Sequence, residues 1–449
     1  MSMFAASEGS RRERYQALCT LCPGVAEAMT HWWDESLGDY AAHLLRPVET
    51  DAPSPAAYAM LRSELESIAA QQLAPDDARD ALAQFDAVRV IQTADHVQSL
   101  LDPTTFANAL VMRMGLARTQ QRYLFTHASS TVTMRTRGWT GPGYLNLDDA
   151  RVNVFGWSNG ALRRTSVGAS RKQVQFAWAV DSGQVTGPAS RLLQEIRAAQ
   201  VDQVHASVED AFLAGNTDLW RRWEPADGVQ PLLTDGRLAA RLVAGHLETG
   251  APELAGLLFD PGVREQLARL RRPDRNNLNS RALPPSTDFF WGVRAERVRA
   301  MTLSSGWLRE AGVADGAACR FEPDALAVAL RRGELMPDLL MIMLVLAVLP
   351  GARVLGGPSQ AIYLRIVADF VRRVLGVPVA TPVDGWIAGA LELTGHPLDL
   401  LGDIKGAGPL AELAKQYADL PLREAVGELD LFAYIKEWLD DMDGVSSER

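Results

Sequence analysis

Residues 88–96 read VRVIQTADH, and residues 122–131 read RYLFTHASST. Each stretch begins with apolar, β-branched or aromatic side chains and ends in polar ones, which is typical of a buried strand that leads into a loop. Between them, residues 104–117 carry apolar side chains at helical spacing, and the Asp-Pro pair at 102–103 is a typical helix start. This strand–helix–strand order predicts an α/β fold, with a Rossmann-like parallel or mixed sheet, flanking helices and additional mainly helical segments.

The remaining sequence divides around residues 271–287, where proline, asparagine, serine and arginine predict a linker or loop. We expect a helical N-terminal region at 1–87 and an α/β region at 88–270 that includes a small mixed-strand patch and helices. Residues 288–449 are expected to form a second α/β region with a helical C-terminus. A chain of 449 residues has room for two or three such units.

Local patterns predict individual elements within these regions. Glycine, aromatic and alternating residues at 138–180 predict short strands in a mixed or antiparallel patch, and helical periodicity is found at 189–213 and 233–270. Residues 289–293 predict a further strand. Residues 339–349 form a continuous apolar run that predicts a buried helix.

Composition excludes several classes of protein. The formal net charge is −10, from 45 basic and 55 acidic residues, which disfavours general nucleic-acid binding. The longest apolar run, at 339–349, is about half the length of a bilayer-spanning helix, and the N-terminus has no apolar signal segment. We therefore expect a cytoplasmic protein with neither a membrane nor a nucleic-acid partner.

The first candidate site follows the first predicted strand. Asp95 and His96 come directly after it, and Gln98 lies two residues further on. In open α/β sheets, ligands bind beyond the carboxyl ends of the strands, so we expect His96 to act as a general base, Asp95 to orient it and Gln98 to contact substrate. The alternative is a capped loop with a structural histidine.

The second candidate site follows the second strand. His127 lies one strand–helix unit after His96, so we expect the two histidines to be neighbours and name His127 as a third catalytic candidate. Ser129, Ser130 and Thr131 then offer hydroxyl and backbone N–H groups to an anion at the start of a following helix. The alternative for this run is a simple helix cap or turn.

A metal is a further alternative at these strand ends. Imidazole and carboxylate suit zinc, iron or manganese, so Asp95, His96 and His127 have the right chemistry for a small metal site. An Asp-His pair is also common in metal-free acid–base sites. We therefore prefer a metal-free site, and the sequence identifies no cofactor.

The third candidate site lies at residues 354–363, which read VLGGPSQAIY. A strand runs into two glycines, which let a backbone approach a ligand closely, and the N-terminus of the next helix favours an anionic group. The segments 88–131 and 352–381 are therefore expected to contribute neighbouring α/β units to one cleft. The substrate-binding candidates here are Gly356, Gly357, Gln360, Tyr363 and Arg365.

Residues 156–160 read GWSNG and so match the Gly-x-Ser-x-Gly pattern of serine-hydrolase nucleophiles. That motif needs a turn from a strand into a helix, and no helix is predicted after Gly160. We therefore interpret this segment as a hairpin turn rather than as a nucleophile.

Taken in order, the motifs resemble the bacillithiol-biosynthesis cysteine-adding enzyme family of cysteine ligases. In that family an early strand ends in Thr-Gly-His-Gln, and a late strand is followed by Gly-Gly-Pro-Gly-Glu and a tyrosine-bearing helix. The family's Glu-Asp-His-Asp strand end is replaced here by THAS at 126–129, and the likeness covers about half of the chain. The matching residues here are Thr93, His96 and Gln98 early, and Gly356, Gly357, Pro358 and Tyr363 late, with Ser359 and Gln360 in place of Gly-Glu.

The resemblance implies an α/β scaffold and condensing chemistry, in which an amine or thiol attacks an electrophilic partner. We expect a cytoplasmic biosynthetic enzyme of specialised metabolism that acts on an amino-acid-like or other anionic small molecule by ligase-like chemistry. One alternative is a non-catalytic ligand-binding or assembly partner in a biosynthetic complex, which the missing carboxylates favour. Another is a hydrolase that uses the Asp95–His96 pair, and a homo-oligomer stays open.

Overall fold

The computed structural model describes residues 27–48, 52–94, 96–136, 141–147, 149–225, 228–272, 283, 285–313, 318–356, 359–377, 393, 396–404 and 408–426. The strands within these ranges are β1 (Val90–Ala94), β2 (Tyr123–Ala128), β3 (Tyr144–Asn146), β4 (Ala150–Asn153), β5 (Ala179–Gly183), β6 (Gln230–Thr234), β7 (Phe290–Arg294), β8 (Arg297–Ser304), β9 (Trp307–Glu310), β10 (Ala318–Arg320), β11 (Leu335–Pro337) and β12 (Arg353–Leu355).

The helices are, in chain order, α1 (Leu37–Leu44), α2 (Pro55–Gln72), α3 (Pro75–Val88), α4 (Pro103–Arg118), α5 (Asn159–Arg164), α6 (Gly187–Gln200), α7 (Val208–Trp223), α8 (Gly236–Glu248), α9 (Pro252–Phe259), α10 (Pro261–Leu270), α11 (Pro323–Arg331), α12 (Leu339–Met343), α13 (Ser359–Phe370), α14 (Pro397–Gly402), α15 (Pro409–Ala418) and α16 (Leu422–Val426). π-helical turns at Leu344–Val348 and Val371–Leu375 continue α12 and α13.

A parallel sheet with strand order β12-β1-β2-β6 forms the centre of the fold. Its strands carry apolar side chains on both faces: Leu124 of β2 packs in one core, whereas the next residue, Phe125, packs in the other. Parallel strands are usually buried on both faces, because the helices that connect them cover both sides of the sheet. The predicted α/β class, with a parallel sheet and flanking helices, is confirmed.

The predicted strand–helix–strand unit is present as β1–α4–β2. Helix α4 begins where Asp102 accepts hydrogen bonds from the backbone N–H groups of Thr104 and Thr105, at 3.1 and 3.2 Å. The helix packs against the sheet face that carries Leu124, whereas α2, α8 and the buried α12 lie in the core on the opposite face. The buried helix predicted at 339–349 is therefore confirmed.

Strand β12 joins two predicted regions of the chain. Although it belongs to the region 288–449, it pairs with β1 through Val90–Arg353, Ile91–Val354 and Gln92–Leu355. The expectation that the segments around β1 and β12 are neighbouring units is therefore confirmed. Of the predicted linker, Arg271 is buried and forms an ion pair with Asp338 at 3.3 Å.

Strand β6 differs from the prediction, which begins a helix at residue 233. The strand carries Pro231, which cannot donate to a sheet ladder, and it lies at the edge of the sheet, where proline is tolerated. A short strand that contains proline and runs directly into α8 has no alternation long enough to mark it. Helix α8 then begins at Gly236, three residues later than predicted.

Two antiparallel sheets are formed by segments that connect strands of the parallel sheet, one between β2 and β6 and the other between β6 and β12. The first has the order β3-β4-β5, and the second has the order β10-β9-β8-β7-β11. The prediction of a small mixed or antiparallel patch is met by the first. Strands β8 and β9 were missed because their two-residue turns, Ala295-Glu296 and Ser305-Gly306, are not the usual Asn-Gly type, although all four residues have positive φ.

The hairpin turn expected at 156–160 is also wrong. Ser158 is the N-cap of α5, and its hydroxyl oxygen accepts a hydrogen bond from Ala161 N–H at 3.3 Å. The serine therefore begins a short helix after the antiparallel strand β4. Within the described ranges, no helix is both long and apolar enough to span a membrane.

Candidate functional site

The carboxyl ends of the parallel strands bring three polar side chains into one row. Thr93 of β1 pairs with His127 of β2, and His127 pairs with Thr234 of β6. Residues paired in register share one face of a sheet, here the face that carries Phe125 two residues earlier. Gln360 of α13 extends the row, because its Oε1 accepts a hydrogen bond from Thr93 Oγ1 at 2.7 Å.

We call Thr93, His127, Thr234 and Gln360 the His127 row. Its members are 2–6% exposed, so the row is withdrawn from solvent. A buried polar atom that loses water without gaining a hydrogen bond costs about 1–3 kcal/mol. Within the described part of the chain, His127 Nε2 and Gln360 Nε2 are both buried and have no hydrogen-bond partner.

Gly356 explains how α13 approaches β1 so closely. A Cβ at this position would lie 2.5 Å from both the carbonyl oxygen and Oγ1 of Thr93, and still closer to Gln360 Oε1. A larger residue would therefore push apart the two segments that form the row. The sequence predicts that a ligand approaches Gly356 closely, whereas in the structure the nearest atoms belong to Thr93 and Gln360.

Hydrogen bonding defines the tautomer of His127. Thr234 Oγ1 donates to the carbonyl oxygen of Thr126 at 2.6 Å, so its hydrogen is already used. The same oxygen lies 3.4 Å from His127 Nδ1 and can only accept there. The ring proton is therefore assigned to Nδ1, which leaves the lone pair on the buried Nε2.

Burial lowers the pKa of His127 to about 4, and the nearby Asp235 carboxylate only partly opposes that effect. The imidazole is therefore neutral at physiological pH, with Nε2 as a hydrogen-bond acceptor. Gln360 Nε2 is a donor, because its amide oxygen is the atom that faces Thr93. The His127 row thus presents one acceptor and one donor without partners among the described residues.

His96 and Gln98 lie beside a small cavity at the same end of the sheet. The cavity measures about 50 Å³, and its walls include His96, Gln98, Thr126 and atoms of His127. The expected proximity of the two histidines is confirmed by this shared lining. However, ligand pockets for small molecules measure about 300–1,000 Å³, so this cavity is too small to hold one.

Gln98 already has partners within the protein. Its side-chain Nε2 donates to Thr105 Oγ1 at 2.9 Å, and its backbone carbonyl oxygen accepts from Asn216 Nδ2 at 2.9 Å. The loop that follows β1 is further attached to the loop after β2, because Val97 N–H donates to the Ser129 carbonyl oxygen at 2.8 Å. These contacts hold the two strand ends together.

No helix begins after Ser129, Ser130 and Thr131, so the expected anion site at a helix N-terminus is absent there. Residues 131–136 instead run beside 165–167, with Met134 N–H bonded to the Thr165 carbonyl oxygen. Ser129 Oγ lies 3.3 Å from Thr131 Oγ1. Their hydroxyls therefore bind each other, which is what the turn alternative predicts.

Ser130 belongs to a second polar group, which the sequence did not reveal. Its side chain is fully buried, and its Oγ accepts a hydrogen bond from Gly236 N–H at 3.2 Å. The hydroxyl also forms a hydrogen bond to Glu209, which lies in the first turn of α7 and is 3% exposed. We call Ser130, Glu209, Asp210, Asp235 and Arg237 the Glu209 cluster.

Arg237 is the cation of the Glu209 cluster. It contacts Asp235, to which its Nε donates at 2.9 and 3.0 Å, and it lies 2.9 Å from Asp210. Glu209 is deeper, and its Oε1 has no hydrogen-bond partner among the described residues. Burial, together with the charge of Asp235, raises the pKa of Glu209 to about 7.

A carboxyl group with a pKa near neutrality is a typical acid–base candidate. Glu209 could not be recognised as unusual in the sequence, because Ser207 followed by Glu209 and Asp210 is an ordinary helix start. Its burial depends on Ser130 and Asp235, which are distant in sequence. A polar residue after each parallel strand is the signal that could have directed attention to this edge.

The remaining predicted site residues are either outside the described ranges or make contacts that do not involve the His127 row. Asp95 and Gly357 lie outside the described residues. Tyr363 is half-buried and packs against both apolar cores, and Arg365 lies 3.9 Å from Asp369 on the same helix. Within the described ranges, no three His, Cys, Asp or Glu side chains are arranged to hold a metal ion.

Comparisons with known proteins add no identification. No protein-family model matches the chain, and no curated protein matches it.

Proposed function

We propose that this chain is a cytoplasmic biosynthetic enzyme that condenses small molecules, one of them amino-acid-like or otherwise anionic, at the carboxyl ends of a Rossmann-like sheet. The observation that carries the proposal is the pair of buried, unpartnered atoms in the His127 row. His127 Nε2 supplies an acceptor and Gln360 Nε2 supplies a donor, and both residues neighbour Thr93. This combination suits a ligand that has both a proton to give and an oxygen to be held.

The position of the row supports the proposal. Ligands of open α/β sheets bind beyond the carboxyl ends of the strands, and the row occupies the ends of β1, β2 and β6. Adjacent strands lie about 4.8 Å apart, so the side chains of Thr93 and His127 are direct neighbours. Because both Nε2 atoms are buried, the proposal requires the row to open when the ligand binds.

In the proposed reaction His127 is the general base. An amine or thiol of one substrate gives its proton to Nε2 as its nitrogen or sulfur bonds to the electrophilic carbon of the second substrate. The bond from that carbon to its leaving group breaks, and the leaving group departs with the electron pair and recovers the proton from the imidazolium. Gln360 Nε2 donates to the oxygen on which negative charge develops.

The low pKa of His127 is compatible with this role. An anionic substrate beside the ring favours the imidazolium and so raises the pKa of His127 once it is bound. In the absence of substrate the ring stays neutral and ready to accept a proton. In this proposal Gly356 and Tyr363 close the opposite wall of the site, as the resemblance to cysteine ligases implies, and His127 takes the place of His96 as the general base.

The test is an untargeted comparison of metabolites from cells that carry the wild-type gene, no gene, or one of two variants. His127→Gln removes the acceptor and should abolish the product that distinguishes wild-type cells. His246→Gln is the matched control, because His246 is equally buried at 2% exposure but lies in α8, within the apolar core. It should keep the product.

Melting temperatures of the purified variants show whether each one folds. A product retained by folded His127→Gln protein contradicts the role of the general base. A product that is absent from wild-type cells as well contradicts the proposal of an enzyme and favours the binding or assembly alternative.

A further inference from the structure

A cavity of about 720 Å³ lies at the open edge of the parallel sheet, away from the His127 row. It is bounded by β6, by one side of α7 and by the end of α2. Its volume falls within the range of small-molecule pockets, which is about 300–1,000 Å³. The His127 row contributes no residue to this cavity.

The walls of the cavity combine polar and apolar side chains. Leu213, Trp220, Val229, Pro231 and Leu233 all line it, and most of them are only half-buried. Apolar surface that water can reach gains free energy when a ligand covers it, at roughly 25 cal/mol per Å². The occupant therefore has an apolar part.

Backbone groups of the edge strand β6 are not available for pairing with an added peptide strand. Gln72 already bonds both backbone groups of Leu233: its Nε2 donates to the carbonyl oxygen at 3.1 Å, and its Oε1 accepts from the N–H at 3.3 Å. Pro231, two residues earlier, has no N–H to give. Strand addition needs free backbone groups, so a small molecule fits this edge better than an extended peptide.

Charge determines the polar part of the ligand. Among the described residues, two carboxylates line the cavity: Glu224 pairs with Arg113 at 2.8 Å, and Asp210 lies 2.9 Å from Arg237, which also binds Asp235. Arg221 also lines the cavity, is exposed, and has no ion pair or hydrogen bond within the part of the chain described here. Arg221 is therefore a cation of the cavity wall that is available to pair with a ligand.

We propose that this cavity binds an amphipathic carboxylate, a small molecule with an aliphatic or aromatic body and one carboxylate group. The body lies against Leu213, Trp220 and Pro231, and the carboxylate pairs with Arg221. Leu213, Trp220 and Leu233 also line the 50 Å³ cavity beside His96. The two cavities thus share three lining residues.

The test compares octanoate with 1-octanol, which has the same chain without the charge, by isothermal titration calorimetry of the full-length protein. Arg221→Gln should weaken octanoate binding about tenfold and leave octanol binding unchanged, because it removes the charge alone. Arg222→Gln is the matched control, since the adjacent Arg222 pairs with Asp218 at 2.8 Å and does not line the cavity. It should bind octanoate as the wild type does.

A third variant, Ala214→Trp, fills the cavity from α7 and should abolish binding of both probes, with the melting temperature as the check on folding. The proposal is overturned if wild-type protein does not bind octanoate. It is also overturned if Arg221→Gln binds octanoate as tightly as wild type, if Arg222→Gln loses binding equally, or if folded Ala214→Trp still binds.

Discussion

The His127 row and the Glu209 cluster both lie at the carboxyl end of the parallel sheet, but the row is buried throughout, whereas the cluster extends from the buried Glu209 to the exposed Arg237. The row contains no formal charge at neutral pH, whereas the cluster holds three carboxyl groups around Arg237. In the cluster, Ser130 and Asp235 bond to the starts of helices α7 and α8, so its polar groups serve the fold.

In the proposed function, the carboxyl end of the sheet combines a cluster that stabilises the fold with a row that binds a ligand. The charged cluster holds the loops after β2 and β6 to the helices that follow them. The neutral row, by contrast, keeps two atoms without partners among the described residues, at a cost in stability that a ligand can recover. The two regions also respond to pH in opposite directions, which makes the comparison testable.

The largest expected effect is on the pH dependence of the cluster. Glu209 has its pKa raised from 4.5 to about 7 in the folded protein, so the folded state holds this proton more tightly than the unfolded state. Its contribution to stability is present below pH 4.5 and is lost as pH rises to 7, on the order of 3 kcal/mol in all. Glu209→Gln cannot ionise and should remove this loss, so that the variant is more stable than wild type at pH 8.

Urea unfolding at pH 5 and pH 8 measures the change, with Glu412→Gln on the exposed face of α15 as the control. If Glu209→Gln and wild type lose the same stability between these two pH values, the buried carboxyl is not the source of the dependence.

The second prediction reverses the sign for the row. The pKa of His127 is lowered from 6.5 to about 4 in the folded protein, so the unfolded state binds the proton more tightly. The neutral ring's contribution is present above pH 6.5 and is lost as pH falls to 4, again on the order of 3 kcal/mol. In wild type the two effects on the free energy of unfolding oppose each other between pH 4.5 and 6.5. A variant that lacks one group should therefore show the pH dependence due to the other group.

His127→Gln should therefore lose stability steadily as pH rises from 4.5 to 7, whereas wild type changes less over the same interval. The exposed His31 supplies the control variant His31→Gln. A flat profile for His127→Gln would mean that the two groups do not oppose each other.

The sequence predicts the part of the fold that local patterns encode. β1, α4 and β2 lie within one to three residues of their predicted bounds, because their apolar runs and the Asp102 cap are continuous in sequence. β6 and the β8–β9 hairpin were missed, because proline and unusual turn residues replace the expected signals. Local reasoning fails where a strand's identity depends on its neighbour in the sheet.

The candidate site shows the same division. His127 and Gln360 were predicted from their positions after strands, and the structure links them through Thr93. The anion site after Thr131 was wrong, because the chain there pairs with residues 165–167 instead of starting a helix. Glu209 could not be identified from the sequence, because its environment is created by Ser130 and Asp235 from the loops after β2 and β6.

A smaller effect is expected from the charged side of the comparison. Asp235 caps α8, where its Oδ1 accepts from Arg237 N–H at 2.9 Å, and it also holds the Arg237 guanidinium. Asp235→Ala removes both contacts but also relieves repulsion of Glu209, so we expect a net loss of about 2 kcal/mol. Asp181→Ala removes an exposed pair with Arg151 and should cost less than about 1 kcal/mol.

Denaturant unfolding at pH 7 compares these two variants. Equal losses would show that the Glu209 cluster contributes no more to stability than an exposed ion pair does.

The smallest expected effect on stability belongs to the row, and it carries the sharpest contrast. Gln360→Met keeps the length of the side chain but removes both the amide oxygen bound to Thr93 and the unpartnered Nε2. Thr93 Oγ1 retains the Leu355 carbonyl oxygen at 3.4 Å as an acceptor. Because replacing an unsatisfied buried group by an apolar one of similar shape is nearly neutral, stability should change by no more than about 1 kcal/mol. Product formation should nevertheless be lost, since the proposed oxygen donor is gone. A loss of stability greater than that of Asp235→Ala would instead mean that Gln360 serves the fold as the cluster does, and that the row is not held open for a ligand.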